Sequence, residues 1–190
     1  MNIITDVLPS FVIIKEKKYS IRSDFKTWLR FFKIINSDET QLEKIASAIS
    51  LIYIDLPENI IEAVEGLKYF YSGELNEYKS TSDKKTSSKK TFDFEYDSEL
   101  IYSAFLQQYN IDLAKSDMHW WKFKALFHNL TEETKFIKVV QYRGMDTSKM
   151  KDKEQKKFYE EMKRIYKLPD NRTDEQKEND FVNDFIDNFI

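Results

Sequence analysis

The period of the apolar positions changes once, early in the chain. Residues 11–14 (Phe-Val-Ile-Ile) and 19–22 (Tyr-Ser-Ile-Arg) are short β-prone runs separated by the polar stretch Lys15-Glu16-Lys17-Lys18, a pattern that predicts a hairpin. Beyond it the spacing is helical. Ser23 or Asp24 is placed to cap a helix whose apolar side carries Phe25, Trp28, Leu29, Phe32 and Ile35. Asp38 caps a second, with Leu42, Ile45, Ala46, Ile49 and Ile52. Pro57 suits the first turn of a third, where its missing N–H costs nothing; Ile60, Ala63, Val64, Leu67 and Phe70 follow at helical spacing, and Gly73 stops it.

The second half repeats the helical period. Asp97 or Ser98 opens a helix bearing Ile101, Ala104 and Phe105 and ending near Asn110. Ser116 or Asp117 precedes another over 119–128. Thr131 opens the next, with Glu132 and Glu133 in the first turn, where the helix dipole favours negative charge, and Gly144 at its end. A charged helix over about 147–168 carries Phe158, Met162, Ile165 and Tyr166 as its stripe, and Pro169 closes it.

Between these halves residues 78–91 hold five lysines, seven hydroxyl residues and no aliphatic one. Such a segment buries too little apolar surface to offset the entropy of ordering it, and it reads as a flexible Lys/Ser/Thr linker. The rival reading, a nucleic-acid arm, lacks interleaved aromatics or arginines, and an acidic run (Asp93, Glu95, Asp97, Glu99) follows at once. The fold expected is therefore mainly α: a short N-terminal β-hairpin followed by a multi-helix bundle in two halves. Residues 1–77 form a hairpin plus three-helix subdomain, 78–91 the linker, 92–168 a four-helix subdomain, and 169–190 an acidic amphipathic tail.

Seven acids against Arg172 and Lys177 give residues 170–190 a net charge of −5. Phe181, Phe185 and Phe189 recur every four residues, and Val182, Ile186 and Ile190 repeat that spacing one residue on. In a helix all six share one face opposite Asp180, Asp184 and Asp187. This stripe is a candidate partner-binding surface, for a groove on another protein or on a second copy of the chain. Docking on the chain's own core and a frayed end are the alternatives. Trp120 and Trp121, pointing about 100° apart on a helix, are the other candidates: one in the core, the other at an edge or interface. With 29 aromatic residues in the chain, core packing is the stronger expectation for the pair.

Composition mostly excludes. There are three glycines in 190 residues, at 66, 73 and 144, and no cysteine. Phosphate-cradling loops need clustered glycines, and thiol nucleophiles, disulfides, Fe–S clusters and cysteine zinc sites need sulfur. His119 and His128, nine residues apart, fall on opposite faces of one helix and cannot share a metal. Counted from Asp93, the glycine and bidentate glutamate positions of a calcium loop hold Ser98 and Ala104. No nucleophile elbow, HExxH or kinase-like set is present, so the expectation is a protein without catalytic residues, metal or cofactor. No apolar run is long enough to span a membrane, and the N-terminus lacks the features of a signal peptide; the expected compartment is a cytoplasm. Of thirty basic residues twenty-five are lysine, and the net charge is −3, which gives no overall pull toward nucleic acid.

Several stretches in order carry a resemblance: Asp24-Phe-Lys-Thr-Trp28, residues 92–97 (Phe-Asp-Phe-Glu-Tyr-Asp), Tyr102-Ser-Ala-Phe105 running on to residues 109–113 (Tyr-Asn-Ile-Asp-Leu), His119-Trp-Trp-Lys-Phe123, Tyr142-Arg143 and Lys151-Asp-Lys-Glu154. Over roughly residues 1–168 the chain resembles the bacteriophage Gp-fifteen family of long-tailed phages and prophages of low-G+C Gram-positive bacteria. The resemblance implies a gene in the tail module, just before the tape-measure gene, and a helical tail assembly chaperone. Such a protein holds the tape-measure protein soluble and assists tail-tube polymerisation in the cytoplasm of the bacterial host. It supplies no catalytic residues. The rival classes are a structural tail component retained in the virion and a nucleic-acid-binding phage regulator. The acidic tail lies outside the resemblance.

Overall fold

The computed structural model describes residues 2–72 and 90–169. Seven α-helices follow a two-stranded antiparallel hairpin among these residues, so the chain is mainly helical, as its periodicity predicts. The linker positions 78–89 and the tail positions 170–190 lie outside the described residues. Contacts group residues 2–72 with 117–126 in a first unit, and 90–116 with 127–169 in a second. The division expected from chain order, 1–77 against 92–168, therefore changes at one place: residues 117–126 group with the N-terminal helices.

In the first unit β1 (Phe11–Ile14) pairs with β2 (Lys17–Ser20), in the register Val12 to Tyr19 and Ile14 to Lys17. The connection is only two residues long. Lys15 and Glu16 both take positive φ, 47° and 65°, the geometry of the tight hairpin turn whose twist matches the strands. Neither is Gly or Asn, so the residue signal for a two-residue turn is missing from the sequence. α1 (Phe25–Ile35) starts at Asp24, whose carboxylate accepts the Thr27 N–H at 2.9 Å. α2 (Gln41–Ile52) starts at Thr40 and not at Asp38: Thr40 and Glu43 form a reciprocal capping box. α3 (Ile60–Ser72) begins three residues after Pro57, because the Asn59 side chain accepts the N–H groups of Ile61 and Glu62.

The core of this unit is aromatic. Trp28 is fully buried and stacks on Phe70 at 5.2 Å and on Trp120 at 5.8 Å between ring centroids. Phe25 stacks on Phe123 at 4.9 Å. The buried faces of the hairpin (Val12, Ile14, Tyr19) close one side of the unit. α3 meets them at Gly66, where a Cβ would lie 2.6 Å from the Tyr53 hydroxyl and 3.3 Å from Val12 and Ile14. The glycine is the close approach of a helix to a strand.

The second unit holds α4 (Ser98–Tyr109), α6 (Lys135–Gly144) and α7 (Lys153–Ile165). α4 ends on Asn110 in the left-handed region. α6 starts at Thr134 and not at Thr131: the fully buried Thr134 hydroxyl donates to the Thr131 carbonyl and accepts the Ile137 N–H. α7 starts six residues later than 147, at the point where Asp152 caps the N–H groups of Glu154 and Gln155. Phe92, Phe94, Phe127 and Phe136 pack ring to ring. α7 buries none of its residues; it rests on α6 through Tyr142, which meets Phe158, Tyr159 and Tyr166.

Candidate functional site

α5 (Trp120–His128) carries the two tryptophans, and the structure places both in the interior. No exposed edge is left for either indole. Trp121 donates its Nε1–H to the Phe70 carbonyl at 2.7 Å and packs on the Phe70 ring at 5.1 Å. Trp120 lies between Trp28 and Phe123. The residue before them sets the start of the helix. His119 Nδ1 accepts the Trp121 N–H at 3.1 Å, while Nε2 lies 3.0 Å from the Pro9 carbonyl. This pair of partners assigns the neutral tautomer with its proton on Nε2. Burial lowers the pKa of the imidazole, only partly countered by the Pro9 carbonyl. One turn on, the Lys124 ammonium donates to the carbonyls of Tyr71 and Ser72, at 2.8 and 3.0 Å, and so caps the end of α3; burial pulls its pKa down to about 8.

The second unit has a buried ion pair that sequence reasoning did not single out. Arg143 donates to both oxygens of Asp97, at 2.6 and 2.9 Å. Its Nε donates to the Tyr166 carbonyl and Nη1 also to the Thr91 carbonyl. Asp97 takes in addition the Asp93 N–H at 3.0 Å. The guanidinium thus ties the lead-in of α4 and the end of α7 to α6. Asp97 caps no helix N–H with its side chain; its carboxylate is spent on Arg143. Both side chains are buried, at 5% and 1%, so the cluster is a fastening and offers nothing to a ligand in solution.

The other candidates from sequence, Phe181, Val182, Phe185, Ile186, Phe189 and Ile190, lie outside the described residues. What the structure adds is an exposed apolar stretch in the first unit. Ile54, Leu56, Ile60 and Ile61 fall within eight consecutive residues and are each more than half exposed. Between and beside them stand Asp55, Glu58, Glu62 and Glu65, and no basic residue occurs from Tyr53 to Leu67. Helical spacing counted Ile60 and Leu42 among core positions. Both are exposed, because each sits in the first turn of its helix, where the core-facing rows have not begun.

The stretch is anchored where it begins, at residues 51–54. Ile21 and Tyr53 form a bridge, Ile54 N–H donates to the Ser20 carbonyl, and Arg22 donates to the carbonyls of Leu51 and Tyr53. Lys15 pairs with Glu62 at 2.5 Å. Four exposed aliphatic side chains interleaved with acidic ones suit contact with an apolar partner surface. Among the described residues no three His, Cys, Asp or Glu side chains are grouped to hold a metal ion, and no helix is long and apolar enough to cross a membrane.

The architecture is that of a mainly helical protein opened by a β-hairpin, with ordered aliphatic side chains on the surface of its first unit. Residues 4–168 match the family described as Bacteriophage Gp15 protein, and the chain belongs to that family. Searches of curated proteins and of solved structures find no match.

Proposed function

We propose that this phage protein is a non-catalytic tail assembly chaperone that acts in the cytoplasm of the bacterial host. It binds the tape-measure protein and keeps it soluble while tail-tube subunits polymerise around it. Membership of the Gp15 family supports the phage setting. The observation that carries the binding role is the exposed stretch Ile54–Ile61, anchored at Ile54, which offers aliphatic surface to a client. A client that is largely helical and apolar on one face gains from covering Ile54, Leu56, Ile60 and Ile61 during assembly.

Co-expression with overlapping tape-measure fragments, followed by size-exclusion chromatography, tests the reading. At least one fragment is expected to co-elute with the full chain and to be lost on Ile61→Glu. Failure of every fragment to co-elute sinks it. Mass spectrometry of purified particles separates this reading from a virion component, because a chaperone is absent from them or present only in traces.

A further inference from the structure

Among the described residues the hairpin has one open edge. Hydrogen bonding from Ile21 N–H to the Ser10 carbonyl and the two-residue turn between Ile14 and Lys17 fix which β1 residues face β2: Ser10, Val12 and Ile14. The N–H and C=O groups of Phe11 and Ile13 therefore point the other way. Among the described residues no strand or bridge pairs with them. The same two residues put their side chains on the outer face of the hairpin, since Val12 and Ile14 are the buried positions. Ile13 is 59% exposed, and Lys18 sits over the Phe11 ring at 4.6 Å.

This edge is complementary to itself. Two β1 strands laid antiparallel with Val12 opposite Val12 bring Phe11 of one copy opposite Ile13 of the other, twice. Both residues of each pair face the partner strand, so the register forms four backbone hydrogen bonds from Phe11 and Ile13 of the two copies. It also makes two aromatic–β-branched cross-strand pairs on one face, a combination that stabilises sheets. A register shifted by two residues in either direction keeps only one such pair of residues. A shift by one sets inward-facing backbone groups against outward-facing ones. Nearby, Ile4 and Val7 are almost fully exposed and add apolar surface just before β1.

We propose that β1 is a self-association edge, through which a second copy of the chain adds its own β1 to form a four-stranded antiparallel sheet with two-fold symmetry. The contact is short, so the dimer falls in the weak, concentration-dependent class. This inference is independent of the client-binding reading.

Sedimentation equilibrium of the full chain from roughly 1 µM to 1 mM tests it. A reversible monomer–dimer equilibrium is expected, and Ile13→Pro is expected to weaken it at least tenfold. Proline is tolerated in a strand whose N–H faces an open edge, and the Ile13 N–H takes no part in the hairpin's own ladder. Circular dichroism checks that the variant folds. If Ile13→Pro does not fold, Ile13→Lys keeps every backbone group of the hairpin, sets a charge against the opposite Phe11, and is expected to weaken the dimer as much. With no native cysteine in the chain, nitroxides on Lys18→Cys report the register. Three strand spacings and a two-residue offset place the two Cα atoms about 16 Å apart. A chain that stays monomeric throughout overturns the proposal, as does a dimer that neither substitution weakens.

Discussion

Trp28 and Arg143 mark the centres of the two units, and the centres are built from opposite materials. Around Trp28 lie Phe31, Phe70, Tyr71 and Trp120, flat rings at centroid separations of 5.2 to 6.2 Å. Around Arg143 lie one carboxylate and two backbone carbonyls. The first arrangement gains from burial and dispersion spread over many contacts, and shape can be traded among neighbours. The second concentrates its energy in a few directional bonds between desolvated groups, so removing one partner leaves the other charged and buried. The two units should therefore fail differently: the aromatic one by degrees, the ionic one at a single residue.

The largest expected effect tests that contrast. Arg143→Met should destabilise the second unit by about 3–5 kcal/mol, because Asp97 is left without its partner. Adding Asp97→Leu removes the orphan charge and should recover a large part of that loss. All three tryptophans (Trp28, Trp120, Trp121) belong to the first unit, so fluorescence follows that unit while far-ultraviolet circular dichroism follows both. In a urea titration the Arg143→Met dichroism transition should move to lower denaturant. If the double substitution is as damaged as the single one, the orphan-charge account is wrong.

A second effect tests how tightly the first unit is fitted. In an open helix Gly→Ala would stabilise by roughly 0.5–1 kcal/mol. At Gly66 the added methyl meets the Tyr53 hydroxyl, which is itself held by donating to the Ala63 carbonyl at 2.8 Å. The clash should win, with a net loss of about 1–3 kcal/mol in the fluorescence-detected transition. A stabilised Gly66→Ala would show that α3 and the hairpin give way easily, and that the tight packing ascribed to this unit is overstated.

Most of this architecture was legible in the period of the apolar residues, which located each helix among the described residues; the least legible parts were those set by pairings distant in sequence. Helix starts moved where a better local cap was present, Thr40 for Asp38 and Thr134 for Thr131, since competing caps two or three residues apart are decided by the packing of the helix they open. The Asp97–Arg143 pair spans 46 residues, and in a chain with 33 acids and 30 bases neither charge nor spacing pairs those two with each other, although each lies in a stretch that carries the resemblance. The role of Gly66 is invisible in the local sequence because the residues it meets, Val12 and Tyr53, come from other elements. For the tryptophan pair core packing outweighs an edge or interface position in a chain this rich in aromatics, and the structure buries both. Trp121 is interior as well because α3 supplies a carbonyl acceptor for its indole N–H. The aliphatic stretch around Leu56 does carry a sequence signal, four aliphatic residues with acids among them and no base from Tyr53 to Leu67.

A smaller effect concerns the polar lock at His119. Its pKa is lowered in the folded chain from the ordinary 6.5, chiefly by burial. The unfolded chain takes up a proton there as pH falls through 6.5, while the folded chain takes it up only at more acidic pH. Stability attributable to this residue is thus complete above pH 6.5 and declines on acidification below it, until the folded imidazole also protonates and the Trp121 N–H loses its acceptor. His119→Asn keeps a side-chain acceptor and removes the titration. Its fluorescence-detected midpoint, compared with that of the parent chain between pH 7 and pH 5, should fall less; parallel curves would mean that His119 does not set the acid sensitivity of the first unit.

The smallest effect runs the other way. Glu16 holds φ at 65° with a Cβ that this region disfavours by roughly 1–2 kcal/mol. Glu16→Gly removes that penalty but frees the unfolded chain, so about 0.5–1 kcal/mol of net stabilisation should remain. Glu16 itself is exposed and its side chain holds no bond in the hairpin, so nothing else is lost. Because the hairpin belongs to the unit that contains every tryptophan, the gain should appear in the fluorescence transition. A dichroism midpoint that rises by the same amount would mean that the two units unfold together. In that case the contrast between an aromatic and an ionic centre would describe how each is built but not how each comes apart.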